Sequence, residues 1–212
     1  HFGIRIFMRY GLIDKFSISE ANLKCLLQNI SAETYETTQF HNIRRTIDVT
    51  RNFHYFVKFG NLMKHISDLH VMAGFIASMI QDVSHPGVTN NYLVGTRHAK
   101  ALRYNDQSVL ENHHCAIAFK ILLDPKNDIF ELLSEAQFWN VRQLIIKMIL
   151  ATDLSNHFQI IMNFKGRMQK KIFPEDTLDD KQMILNMTLY TSNHCHPIKN
   201  NVTYFKWIAL EM

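Results

Sequence analysis

Histidine and acidic side chains concentrate in three short segments of this sequence. The segments cover residues 40–49, 80–87 and 104–114 of a chain that contains 12 histidines in 212 residues. They contain the candidate residues His41, Asp82, His85, Glu111, His113 and His114. Imidazole and carboxylate groups bind divalent metals and transfer protons in hydrolytic enzymes. We therefore treat these segments as the candidate site, provided that the fold brings them together.

The elements that must position these segments are helices. Apolar residues recur at spacings of three and four, and only 7 Gly and 4 Pro interrupt the chain, which predicts an all-α fold. Helix starts are predicted at three capping-box patterns, Ser17–Glu20, Ser108–Glu111 and Ser134–Gln137. The nearly apolar segment Val141–Leu150 is expected to lie in the middle of a compact multi-helix bundle.

Composition excludes several classes of protein. The formal charge of +4 is too small and too dispersed for a nucleic-acid surface or a polybasic membrane anchor. No apolar run approaches the roughly 20 residues that span a bilayer. The three cysteines, Cys25, Cys115 and Cys195, form no CxxC pair, which favours a reducing compartment. We expect a cytoplasmic protein of one domain that binds neither nucleic acid nor membrane.

Several segments together resemble one known family. Residues Ser108–His114 and Ala151–His157 closely resemble the signature of class I cyclic-nucleotide phosphodiesterases, which belong to the HD-type metal phosphohydrolases. The segment Asp82–Val88 is also similar, as is Lys199 followed eight residues later by Trp207. The resemblance implies an all-α bundle of the phosphodiesterase type.

The resemblance extends over nearly the whole chain, from about residue 6 to residue 212. It implies that residues 1–212 form the core of a phosphodiesterase catalytic domain that lacks its C-terminal helices. The family's C-terminal segment, which holds the purine base, has no counterpart here, so a preference between cAMP and cGMP cannot be inferred.

For the site, the resemblance implies zinc and a second ion, usually magnesium, that activate water against a cyclic phosphate. His41 matches the histidine that protonates the leaving oxygen, and Asp82 matches the aspartate that bridges the two ions. The other three protein ligands are replaced. Arg45 and Gln81 stand at positions of zinc-binding histidines, and Asn193 stands at the position of an aspartate.

These replacements predict a degenerate centre. Arginine cannot ligate a cation, and neutral amides are poor zinc ligands, so no cofactor is expected. We expect the Arg45 guanidinium to take the place of a metal and to pair with Asp82. His85, Glu111, His114 and Thr152 match positions that order metal-bound water, and they are expected to persist as a hydrogen-bonded network. A relocated metal site at residues 194–196 is a weaker alternative, because adjacent side chains rarely converge on one ion.

The favoured function is a pseudo-phosphodiesterase that acts as a structural or regulatory subunit of a larger assembly, with protein partners. A ciliary or cytoskeletal setting is one expectation for that assembly. Two alternatives stay open. One is an active enzyme that hydrolyses cAMP or cGMP at a weak single-metal site, and the other is a sensor that binds cyclic nucleotide without turnover.

Overall fold

The computed structural model describes residues 1–34, 38–170 and 177–211, and all regular elements in these ranges are helices. The all-α prediction is confirmed. The α-helices are α1 (Phe2–Arg9), α2 (Leu12–Lys15), α3 (Glu20–Ala32), α4 (Ile43–Phe59), α5 (Asp68–Ile80), α6 (Asn90–Gly95), α7 (Ala99–Arg103), α8 (Val109–Leu122), α9 (Glu135–Leu150), α10 (His157–Met168), α11 (Leu178–His194) and α12 (Asn201–Glu211). Three short 3-10 turns cover Leu62–Lys64, Leu154–Asn156 and His196–Ile198.

Helix α5 lies at the centre of the bundle. Every residue from His70 to Ile80 is buried, and the helix packs against α4, α8, α9 and α11. A close approach between α4 and α5 depends on Gly74, because a Cβ atom there would lie 2.3 Å from Cζ of Phe53. The C-terminal end of this central helix carries Gln81 and Asp82 directly into the candidate site.

Helix α9 does not occupy the central position that the sequence suggested. It packs against α5, α8 and α11, and its buried residues are Val141, Leu144, Ile145, Met148 and Ile149. The opposite face carries Gln143 and Lys147 and is exposed. Polar side chains in successive turns keep their side of a helix in contact with solvent. Helix α5, which is buried at every position from His70 to Ile80, lies at the centre instead.

The predicted helix starts differ in accuracy. Ser134 and Gln137 form a complete capping box at the start of α9, as predicted. Helix α3 is capped by Ser19, whose side chain accepts from the Asn22 backbone, and Ser17 lies outside it with φ of 49°. Ser108 precedes α8 but makes no cap, because its hydroxyl donates to Asp153 Oδ2 at 2.7 Å.

Three further features bear on function. All three cysteines are free thiols, and Cys115 and Cys195 are buried. Within the described ranges, no helix combines the length and apolar character needed to cross a membrane. Helix α10, by contrast, has no buried residue although several of its side chains are apolar.

Candidate active site

The predicted site residues surround one cavity of about 1120 Å³. It opens where the start of α4, the end of α5, the start of α8 and the end of α11 meet. All the positions that the sequence singled out by resemblance line it, namely His41, Arg45, Gln81, Asp82, His85, Glu111, His114, Thr152 and Asn193. The structure therefore brings together segments that are far apart in the chain, while their chemical roles remain predictions.

Local backbone chemistry explains how α4 presents its two site residues. Asn42 is the N-cap of α4, and its Oδ1 accepts from the backbone amides of Arg44 and Arg45. Its Nδ2 donates to the Gln39 carbonyl at 2.7 Å, which fixes the chain before the helix. His41 therefore lies just before the helix and Arg45 lies in its first turn, with both side chains directed to the cavity.

The centre of the cavity is a carboxylate beside stacked imidazoles. His41 Nδ1 lies 3.2 Å from Asp82 Oδ2, which is the distance of an ion pair when the ring is protonated. The rings of His41 and His85 stack with centroids 3.5 Å apart and an interplanar angle of 8°. His114 stacks beyond His85 at 5.4 Å, and its Nδ1 lies 2.7 Å from the Val83 carbonyl. Three imidazoles thus form a row that ends at one carboxylate.

Burial and these neighbours set the protonation of the row. Burial alone raises the pKa of Asp82, but the imidazoles of His41, His85 and His114 lower it, and the net pKa lies well below the usual range. Burial, reinforced by His41, lowers the pKa of His85 to about 3. The backbone amide of Gly87 donates to His85 Nδ1 at 3.0 Å, which suits the neutral ring. Asp82 is therefore an anion and His85 a neutral base at neutral pH.

Arg45 is directed toward the end of α11. Its Nη2 donates to Asn193 Oδ1 at 2.7 Å and to the Asn193 backbone carbonyl. Its guanidinium carbon lies 4.6 Å from the Phe40 ring centre and 5.6 Å from that of Trp207. A cation at the C-terminal end of a helix is favoured by the orphan carbonyls there. We expected Arg45 to pair with Asp82. In the structure Asp82 lies beside His41 instead, and Arg45 binds Asn193.

Glu111 is held by a residue that the sequence did not single out. Asn90 Nδ2 donates to Glu111 Oε2 at 2.9 Å, and Asn90 Oδ1 accepts from the Leu110 amide at 2.8 Å. Burial raises the Glu111 pKa, and the Asn90 contact partly opposes that rise. The capping-box explanation for Glu111 is wrong, because the Ser108 hydroxyl is bound to Asp153. In the sequence, the signal that could have identified Asn90 is its position three residues after the Pro86-Gly87 loop.

Thr152 and the segment 194–196 have local partners. The Thr152 hydroxyl donates to the Ile149 carbonyl at 2.7 Å. His194 Nδ1 lies 2.9 Å from the Tyr190 carbonyl, whereas Cys195 Sγ lies 3.5 Å from the Ser192 carbonyl. His196 stacks on Tyr204. These partners point in different directions, which does not support a relocated metal site there.

The donor atoms decide which metal the centre fits. Gln81 is 1% exposed, and within the described part of the chain neither its Oε1 nor its Nε2 has a hydrogen-bond partner. Magnesium-type cations take carboxylate and amide oxygens and retain water ligands, so Asp82 and Gln81 fit such an ion. Zinc does not fit at Arg45 and Asn193, which bind each other. No described group of three or more His, Cys, Asp and Glu side chains is arranged to hold a metal.

Comparison with known proteins places these observations in one family. A family model described as 3'5'-cyclic nucleotide phosphodiesterase matches residues 40–212. The dual specificity calcium/calmodulin-dependent 3',5'-cyclic nucleotide phosphodiesterase 1 of Drosophila melanogaster is 35% identical over 207 residues, which is 97% of this chain and 24% of the relative. The probable 3',5'-cyclic-AMP phosphodiesterase pde-4 of Caenorhabditis elegans is 33% identical, over 93% of this chain and 30% of the relative.

Solved structures agree with these relatives. The crystal structure of the phosphodiesterase domain of the RhoPDE fusion protein from the choanoflagellate Salpingoeca rosetta superposes with a TM-score of 0.93 at 32% identity. The match covers 99% of this chain and 66% of that structure. The chain spans about a quarter to a third of the length of the curated relatives that it matches.

These comparisons overturn one expectation. The sequence led us to expect that no cofactor takes part, on the ground that three ligand positions are replaced. The relatives are phosphodiesterases, which use metal ions, so that expectation is wrong. The loss of zinc-type ligands does not exclude every metal, because Asp82 and Gln81 still offer oxygen donors.

Proposed function

Because the chain belongs to the 3',5'-cyclic nucleotide phosphodiesterase family, we propose that it is a member with strongly reduced hydrolysis that acts as a regulatory subunit. The observation that supports this proposal is the contact between Arg45 and Asn193. Both residues stand at positions that the resemblance assigns to zinc ligands. The Nη2 atom of Arg45 now binds both the side-chain oxygen and the backbone carbonyl of Asn193.

The Arg45 contact removes zinc-type ligation in two ways. Guanidinium stays protonated at all accessible pH and has no lone pair for a metal. It also fixes a positive charge in a buried position, 3% exposed, where a second cation would be repelled in a medium of low dielectric constant. A two-metal mechanism needs both ions to polarise the phosphoryl group, so its loss slows hydrolysis.

The remaining residues retain part of the chemistry. Oxygen atoms of Asp82 and Gln81 would hold a divalent cation, which would supply Lewis-acid polarisation of a phosphoryl oxygen. His41 Nδ1 lies 3.2 Å from Asp82 Oδ2, so the imidazole that the resemblance assigns as proton donor stays beside this carboxylate. His85 packs face to face on that ring and fixes its plane. These contacts keep the candidate proton donor at the cavity, and they support slow turnover rather than efficient turnover.

The test is to restore the family ligands. Wild-type protein and the triple variant Arg45→His, Gln81→His, Asn193→Asp are assayed for hydrolysis of cAMP and cGMP with magnesium, manganese and zinc, and bound metal is measured by elemental analysis. We expect zinc binding and turnover in the triple variant, and turnover at least a hundredfold lower in the wild type. Gln143→His on the exposed face of α9 is the control and is expected to gain neither.

Efficient hydrolysis by the wild-type protein would contradict the proposal. A triple variant that folds, binds zinc and remains inactive would show that residues outside the ligand set limit turnover, which also contradicts it. Circular dichroism and thermal unfolding of each variant establish that the comparison is between folded proteins.

The cavity supports a second candidate, a cyclic-nucleotide sensor without turnover. Its volume of about 1120 Å³ slightly exceeds the roughly 300–1,000 Å³ of typical small-molecule sites, so the cavity is large enough for a nucleotide. Equilibrium dialysis with labelled cAMP and cGMP measures this directly, and Asp82→Ala is expected to alter binding. A failure to bind either nucleotide at millimolar concentration excludes the sensor and leaves the regulatory subunit.

A further inference from the structure

Beyond the cleft, we propose that helix α10 is a docking surface for an amphipathic helix of a partner protein that carries acidic residues at one end of its apolar face. We define the α10 stripe as Phe158 and Met162 of α10 together with Leu154 of the 3-10 turn that precedes the helix. The proposal holds whether or not the cleft hydrolyses a substrate, because it depends on the surface of α10.

The first observation is the exposure of this stripe. Leu154, Phe158 and Met162 are 63%, 81% and 64% exposed. Helix α10 contains 12 residues and none of them is buried. A surface helix ordinarily turns its apolar stripe toward the core. Exposed apolar side chains at four-residue spacing, such as Leu154, Phe158 and Met162, mark a candidate interaction surface instead.

The second observation explains why the stripe faces outward. Both ends of α10 are attached to α11 by polar contacts. At the start, His157 Nδ1 bonds to the Tyr190 hydroxyl, and near the end Arg167 donates to both carboxylate oxygens of Asp180, at 2.8 and 2.6 Å. At 100° per residue these anchors lie about 100° and 180° around the helix from Phe158 and about 140° from Met162. The anchors therefore hold the stripe away from the bundle.

The third observation is the charge around the stripe. The sequence contains no Asp or Glu between Leu154 and Lys170. Lys165 and Lys170 are exposed and lie beyond its C-terminal end. A partner helix complements this surface when its apolar face packs on the stripe and its acidic residues lie next to these lysines. The charge thus indicates the orientation of the partner as well as its chemistry.

The same charges disfavour other occupants. A second copy of the chain that packed α10 on α10 would offer these lysines no acidic residue of that helix. A membrane surface is recognised by basic residues spread along the polar face of an interfacial helix. Here the exposed lysines lie at one end, and the Arg167 charge is matched by Asp180.

The experiment uses full-length protein and a defined probe. The probe is a synthetic, fluorescein-labelled 18-residue helix with a leucine face and four glutamates at one end, and binding is followed by fluorescence anisotropy. We expect saturable binding that weakens at least tenfold with Phe158→Ser and with Lys165→Glu. Phe59→Ser is the matched control, because Phe59 is 65% exposed on α4, and it is expected to bind as the wild type does.

Several outcomes would overturn the proposal. These are no saturable binding, equal binding of a peptide with lysines in place of the glutamates, and no effect of Phe158→Ser. Phe158-dependent binding to phosphatidylserine vesicles would assign the stripe to a membrane, and a Phe158-dependent dimer in sedimentation would assign it to a second copy. Protection of Phe158 in oxidative footprinting of the full-length protein would show that another part of its own chain covers the stripe.

Discussion

Replacing Arg45 by methionine tests the central contact of the site. Methionine keeps the length of the side chain and removes the guanidinium, so Asn193 Oδ1 and the Asn193 carbonyl lose their shared donor. An unsatisfied buried oxygen costs about 1–3 kcal/mol. Loss of the contacts with Phe40 and Trp207 adds about 1 kcal/mol. Relief from burying the charge offsets part of this cost.

The expected net loss is about 3 kcal/mol in the free energy of unfolding. For a chain of this size, that corresponds to a fall in Tm of about 6–12 °C. The assay is urea unfolding followed by circular dichroism, together with differential scanning calorimetry. Asn193→Asp is the companion variant, because a carboxylate beside the guanidinium replaces a neutral acceptor by a charged one. It is expected to unfold at the same urea concentration or a higher one.

A double-mutant cycle isolates the interaction. Arg45→Met and Asn193→Leu are measured singly and together, and we expect a coupling free energy of about 1–3 kcal/mol. Additive losses, or an Arg45→Met variant within about 0.5 kcal/mol of the wild type, would refute the argument that this contact holds α4 to α11.

Three further predictions concern stability. Gly74→Ala is expected to lower the free energy of unfolding by about 1–3 kcal/mol, because the new Cβ would lie 2.3 Å from the buried Phe53 ring. Gly166→Ala, whose Cβ meets open space, is expected to raise the free energy of unfolding by about 0.5–1 kcal/mol. Equal effects in thermal unfolding would contradict the packing described for α5. Ser134→Ala removes the capping box of α9 and is expected to cost about 1 kcal/mol in urea unfolding, and an unchanged midpoint would contradict its role. Burial, reinforced by the charge of Lys100, lowers the pKa of His113 from 6.5 to about 4. As pH drops from about 6.5 toward 4, the unfolded chain binds the proton before the folded chain does, so the free energy of unfolding falls. His113→Gln is expected to flatten that fall between pH 7 and pH 5, and an unchanged slope would contradict the burial of a neutral ring.

The location of the site could be predicted from the sequence, but its internal contacts could not. The residues singled out by resemblance line one cavity, because their spacing within each segment fixes their place on a helix or loop. Arg45 and Asn193 are separated by 148 residues, and no local pattern indicates that their side chains meet. The expectation for Arg45 therefore rested on charge alone, which favoured Asp82.

The helix starts illustrate the same limit. Ser134 and Gln137 lie three positions apart in one turn and cap α9 as their spacing predicts. Ser108 has an equally good pattern with Glu111, yet its hydroxyl binds Asp153, which is 45 residues away, and its φ is 41°. A hydrogen bond to a distant residue can replace a local helix cap, because the two contribute similar free energies to stability.

Leu154 connects the two surfaces described above. It lines the cavity and also begins the α10 stripe. Because a single side chain belongs to both, a partner docked on the α10 stripe and a ligand in the cavity would both contact Leu154. If the partner changes the affinity of the ligand, the ligand must change the affinity of the partner by the same factor, since linkage is reciprocal for binding equilibria. Under the proposed function, the occupancy of the partner would then report the concentration of the ligand.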